Sequence, residues 1–196
     1  MKHIAWLISL SILAACSGGG SDGDNTGGGG GDDDATVDRA SLTGLAVKGL
    51  ATHALVSVYT QSGSSFKTEA DVTSVTGEDG RYNLSLPESL WTYNGPAKVV
   101  LSYNDANSKL ECDDNDGCGA GINQGDFYDM PMDFELSSVV NIGSGLTNGS
   151  GDTIANISAL TTLAADYLER PGNTISGDTL KQSNNQIRAV FSLPKT

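Results

Sequence analysis

Thr76-Gly77-Glu78-Asp79-Gly80-Arg81-Tyr82-Asn83-Leu84-Ser85-Leu86-Pro87 reads as a turn, a strand and a stop. Asp79-Gly80 is a favoured hairpin pair, because Gly accepts the positive φ that tight reversals demand. Tyr82, Leu84 and Leu86 alternate with polar residues, so one face of the strand is apolar. Pro87 has no N–H to give a ladder and ends it. Moving outward, Ala54 to Thr60 also alternates, with Ala54, Val56 and Val58 on one side and Leu55, Ser57 and Tyr59 on the other. Ala70 to Thr76 is a weaker strand, and Leu42 to Val47 a short apolar run. Lys98 to Tyr103 places Val99, Leu101 and Tyr103 on one face, and Phe134 to Val140 is one more strand. Short strands at this spacing, divided by turn signals, predict a mainly β chain: an immunoglobulin- or transthyretin-like sandwich over residues 39–140, long enough for one core.

The order Leu42-Thr-Gly44, Val47-Lys-Gly-Leu-Ala51, Ala54-Leu-Val-Ser-Val-Tyr59 and then Thr76 to Pro87 resembles the opening of carboxypeptidase regulatory-like domains, which are transthyretin-like (prealbumin-like) sandwiches. The resemblance covers about residues 41 to 103. It implies a structural or interaction module attached to something else, and no peptidase activity.

Ahead of the domain lies an address. Lys2 precedes Ile4 to Ala15, a 12-residue uncharged run. That suits the core of a secretory signal and falls short of the roughly 20 residues of a membrane span. Leu13-Ala14-Ala15-Cys16 resembles a bacterial lipobox. The resemblance implies cleavage of residues 1–15, diacylglycerol on the sulfur of Cys16 and an acylated amine, hence anchoring to a membrane. The alternative is an ordinary secretory signal with a cysteine at its cut. Ser17, where an inner-membrane retention signal would have Asp, points to the outer membrane. Residues 16–38 then form a linker, with SGGGSDGDNTGGGGGDDD from Ser17 to Asp34 holding no apolar residue. Such a chain stays disordered and spans roughly 25 Å as a coil, holding the domain off the membrane.

Charge limits the partners. The formal net charge is −13, and loss of Lys2 takes the processed chain to about −14. Nucleic acid is excluded as a partner on this ground. An envelope protein or a glycan suits better, beside the membrane reached through the anchor.

Glu111-Cys112-Asp113-Asp114-Asn115-Asp116-Gly117-Cys118 is the richest chemical feature. In an oxidising compartment Cys112 and Cys118 favour a disulfide, worth roughly 2 kcal/mol for so short a loop. Free thiols or a cysteine metal site are the alternatives. Asp113, Asp114 and Asp116 are hard oxygen ligands of the kind Ca²⁺ takes. The EF-hand pattern fails here, however: Cys112 stands at its first ligand position, and Asn123 stands where its bidentate Glu belongs. Asp126, Asp129 and Asp133 could complete a different cage; a solvated acidic loop is the simpler reading. Trp91, Tyr93 and Tyr103 are candidate sugar-stacking surfaces, set against their use as core.

Residues 141–152 read as a Gly/Ser/Asn linker and 153–196 as a short helical tail. Ser158 caps a helix with apolar positions at Leu160, Leu163, Ala164, Tyr167 and Leu168, ended by Pro171-Gly172. A second helix begins near Ser176, with Leu180, Ile187, Val190 and Phe191 on one side. Ile157-Ser-Ala-Leu-Thr-Thr-Leu-Ala-Ala165 resembles the V-T-P-L-T-T-L-A-A element that follows this sandwich in related lipoproteins, with Ala159 in place of Pro. The pair packs on itself or on the sandwich, or serves as a partner-binding hairpin.

No nucleophile elbow, zincin helix or phosphate loop is present. The processed chain retains His53 as its one histidine, in a turn, which is more often solvated than catalytic. The expectation is therefore a lipid-anchored module of the envelope without catalysis of its own. The alternative is a calcium- or carbohydrate-binding module built on the Cys112–Cys118 loop. A glycan-acting carboxylate enzyme is a remote third option.

Overall fold

The computed structural model describes residues 40–47, 49–119, 121–143 and 152–192. The signal segment, Cys16, the Gly/Asp linker and most of the second linker lie outside the described residues. What is described is mainly β, with two helices at its C-terminal end.

The strands are β1 (Ser41–Val47), β2 (Ala51–Thr52), β3 (Leu55–Ser62), β4 (Ser65–Phe66), β5 (Val72–Val75), β6 (Arg81–Ser85), β7 (Gly95–Ser102), β8 (Lys109–Glu111), β9 (Phe127–Asp129), β10 (Glu135–Ile142), β11 (Asp152–Ile154) and β12 (Ile157–Ser158). Helices α1 (Ala159–Leu168) and α2 (Gly177–Val190) follow. One sheet centres on β1, which pairs antiparallel with β6 and parallel with β11 and β12. The second runs β10-β7-β3, continued by β4 and β5, all antiparallel. A ribbon of β2, β8 and β9 stands apart from both.

The expected faces meet between the two sheets. Ala54, Val56, Val58, Val99, Leu101, Tyr82, Leu84 and Leu86 are all buried in one cluster with Leu42, Ala46 and Ile157. Each large aliphatic side chain placed there stabilises by about 1.5–3 kcal/mol before chain entropy is counted. Tyr82 brings a hydroxyl into this core and donates it to Ala155 O. Burial raises its pKa far above that of a free phenol. Gly44 lets this happen: a Cβ there would lie 2.1 Å from Ala155 O and 2.6 Å from the Tyr82 hydroxyl.

The turn at 76–80 is tight as expected, with Gly80 at φ +69° and the Gly77 N–H bonded to Arg81 O at 2.8 Å. Its role differs from a simple hairpin, because β5 pairs with β3 while β6 pairs with β1. The segment is a corner that carries the chain from one sheet to the other. Buried Thr76 causes the switch. Its Oγ1 donates to Ala51 O at 2.7 Å and accepts from the Ala54 N–H at 2.9 Å, which ties the end of β5 to the β2–β3 junction.

The sandwich also extends past residue 140. β10 continues to Ile142, and Asp152–Ile154 and Ile157–Ser158, expected within the linker and helical tail, are strands beside β1. β1 leaves an edge with unpaired backbone groups beside it, and a short parallel strand with few local signals satisfies them.

Ser158 and Ser176 cap the two helices, each in a capping box with Thr161 and Thr179. The pair packs on the outer face of the second sheet, where Ala165, Leu168, Ile175 and Leu180 gather around Val139 and Phe66. The Thr-Thr step of α1 also answers the free edge of β10. The Ser137 N–H bonds Thr162 Oγ1 at 2.8 Å, and Thr161 Oγ1 donates to Ser137 O at 2.8 Å. That close approach puts Ala164 and Ala165 against the sheet and leaves Leu163, an expected packing position, exposed. In α2 the burial stops halfway along, at Ser183. Leu180 is buried, whereas Val190 and Phe191, expected beside it, are exposed. No described helix is long and apolar enough to cross a membrane.

Candidate functional site

The cysteine loop hangs from the ribbon at the end of β1. Cys112 and Cys118 are bonded, with Cα atoms 5.7 Å apart, so the disulfide reading holds and the thiol and thiolate-metal alternatives fall away. Backbone bonds finish the loop. The Cys112 N–H bonds Asp126 O at 2.9 Å, the Gly125 N–H bonds Cys112 O at 2.8 Å, and the Cys118 N–H bonds Ile122 O at 3.0 Å. Cys112, the residue after β8, is buried.

The carboxylates of the loop do not converge. Asp113 Oδ2 accepts the Gly49 N–H at 3.1 Å, and Asp114 Oδ1 accepts the Asp116 N–H at 2.9 Å. Asp126 Oδ2 takes the Asn123 N–H at 2.8 Å, and Asp129 pairs with Lys109. Among the described residues no three carboxylate, histidine or cysteine groups gather as a cation would require. Oxygens of Asp113 and Asp114 close turns and hold the ribbon to the Gly49 loop, the local use for which Asp suits the backbone.

The three aromatic candidates divide between two places. Trp91 follows a 3-10 turn (Glu88–Leu90), packs on the core and donates Nε1–H to Leu86 O at 3.0 Å. The Tyr93 hydroxyl accepts the Gln61 N–H at 3.0 Å and donates to Pro96 O at 2.5 Å. Burial raises its pKa, against a smaller lowering from the Gln61 bond. Both lie where β1 begins, because Leu86 N–H bonds Ala40 O. The cysteine loop lies where β1 ends, since the Glu111 N–H bonds Leu50 O. A seven-residue strand separates them, about 20 Å. Tyr103 stands at the cysteine-loop end and packs on the core. These rings therefore serve as packing.

His53 is exposed, in the expected turn, at φ +53°. A non-glycine residue holds that conformation only where its surroundings enforce it. Here the His53 N–H bonds Thr76 O at 3.1 Å and its carbonyl accepts the Ser108 hydroxyl at 2.9 Å. The aromatic that sequence reading passed over is Phe127, half exposed on β9. Its signal was faint: a Phe-Tyr-Asp triplet after Gly125-Asp126, in a strand of three residues. No protein-family model matches the chain, and no curated protein matches it in sequence.

Proposed function

We propose that the protein is a lipid-anchored interaction module of the cell envelope, without catalytic activity of its own. The observation that carries this reading is the order of segments: Lys2 before an uncharged run, Leu13-Ala14-Ala15-Cys16, a Gly/Asp spacer and then a β-domain. The likeness of residues 41–103 to carboxypeptidase regulatory-like sandwiches supports the same role, as does Ser17 for the outer membrane. The described domain is consistent with a module that presents surfaces. No buried, hydrogen-bonding side-chain atom among the described residues lacks a partner, and the acidic loop spends oxygens on its own backbone. The calcium reading of that loop gains no support from this geometry.

Two measurements test the proposal. Mass spectrometry of the full chain expressed in a Gram-negative host should find a mature N-terminus at Cys16 carrying diacylglycerol and an acyl chain. Cys16→Ser should stay unprocessed. An unmodified chain that partitions into the aqueous phase of a detergent separation would overturn the anchor. Proximity crosslinking in the envelope should then return one recurrent partner; recovery of abundant proteins alone counts against a dedicated interaction.

A further inference from the structure

The ribbon has an inner and an outer face. Its register pairs Thr52 with Lys109 and Lys109 with Asp129, Leu110 with Tyr128, and Glu111 with Phe127. Alternation then turns Ala51, Leu110 and Tyr128 inward, where all three join the core, and Lys109, Glu111, Phe127 and Asp129 outward, while Thr52 opposite Lys109 is itself buried. Three of those four outward positions are charged. The fourth is a phenyl ring left 51% exposed. Folding gains little from an aromatic in that place.

Beside the ring lies a depression of about 460 Å³, lined by Thr52, His53, Glu78, Asn107, Lys109 and Phe127. That size lies within the range of small-ligand sites. Three separate pieces of chain build it: the ribbon, the 76–80 corner and the loop before β8. Each is held firmly. His53 is fixed between Thr76 and Ser108. Ser108 Oγ also accepts the Asn104 and Asp105 N–H groups at 3.1 and 3.2 Å, and the Asn107 N–H bonds Asp105 Oδ1 at 2.8 Å. A depression whose walls are already ordered loses little entropy when it is filled.

The chemistry of the lining narrows its occupant. Lys109 is already paired with Asp129, and Glu78 adds a negative charge in a chain of net charge −13, so an anion is disfavoured. A single lining carboxylate does not hold a metal ion. What remains is a hydroxyl, an imidazole, an amide and a carboxylate arranged around an apolar ring. Such a set offers both donors and acceptors to vicinal hydroxyls, and a flat surface to the C–H face of a pyranose. We propose that this depression binds a neutral sugar residue of a glycan, with Phe127 as the stacking platform and Asn107, Glu78 and His53 reading its hydroxyls. The site is distinct from the acidic loop and from Trp91 and Tyr93, and it does not depend on the lipid anchor.

Saturation-transfer NMR on the full chain, with chitotriose, maltotriose and cellotriose in turn as probes, tests this. At least one should receive saturation. Phe127→Ala should abolish the transfer, Phe127→Trp should keep it, and Asn107→Ala should weaken binding by about tenfold. Thermal melts should be unchanged, since all three changes lie on an outward surface. No transfer from any of the three sugars overturns the proposal, as does transfer that survives undiminished in Phe127→Ala. Neither result bears on the lipidation or crosslinking outcomes.

Discussion

The two ends of the sandwich treat their aromatic residues in opposite ways. At the beginning of β1, Trp91 and Tyr93 lie against the core, and their polar atoms are spent on Leu86 O, the Gln61 N–H and Pro96 O. At the other end Phe127 stands out from a ribbon held by a disulfide, beside an open depression. The first arrangement excludes water and closes the core. The second gives up apolar burial and keeps its surface rigid by other means: a covalent bridge, Asp113 and Asp114 bonded to backbone, and Ser108 beneath His53. An end that is costly to alter and an end that is free to change are what a module needs if it is to keep its fold and present a surface.

Mutation can sharpen or break that contrast. The largest effect is expected at the closed end. Leu86→Ala removes a buried side chain from the core, and urea unfolding should show a loss of about 3 kcal/mol. At the open end, replacing Cys112 and Cys118 together by serine should cost about 2 kcal/mol in the same assay, through loop entropy restored to the unfolded chain. A loss as large as that of Leu86→Ala would mean that the bridge carries more of the fold than the entropy of its short loop accounts for.

Asp71 belongs to the closed end and carries its pH dependence. Burial alone would raise its carboxyl pKa; hydrogen bonds from Lys67 at 2.5 Å and from the Thr60 N–H and hydroxyl, each at 2.8 Å, outweigh burial and hold it below the ordinary 3.8. Because the folded value is the lower one, this stabilisation is complete above the unfolded pKa and is lost as pH falls through the folded value. Asp71→Asn should cost about 1–2 kcal/mol at neutral pH. Its disadvantage should shrink between about pH 5 and pH 3, read from unfolding curves of both proteins. A constant difference across that range would remove Asp71 as the cause.

The smallest expected effect is Phe127→Ala. An exposed ring on a ribbon should change stability by no more than about 0.5 kcal/mol. A loss of 2 kcal/mol in the melt would place Phe127 in the core and erase the difference between the two ends.

Much of the sandwich was legible beforehand. The alternation in Ala54 to Thr60, Tyr82 to Leu86 and Lys98 to Ser102 places the same residues inward as the structure does, because a half-buried strand writes its environment into every second residue. Ser158 was legible as a cap, and the start of the second helix near Ser176, since capping is a local bargain between a side chain and the next turn. The ribbon was not, with strands of two or three residues and no period to read. Neither were β11 and β12, whose pairing partner lies more than a hundred residues earlier.

The chain's own order of residues determined the strand faces, the cysteine pair, the cap at Ser158 and the expectation of an anchored, acidic, mainly β protein, all of which depend on near neighbours or on composition. Tertiary structure alone decided that the 76–80 turn is a corner between sheets, because buried Thr76 binds backbone from 22 to 25 positions away. It decided that Asp113 and Asp114 serve as struts, that Trp91 and Tyr93 are packing, and that Phe127, Asn107, Glu78 and His53 share one depression. Each of those outcomes rests on where distant backbone comes to lie, and a one-dimensional pattern carries no record of that.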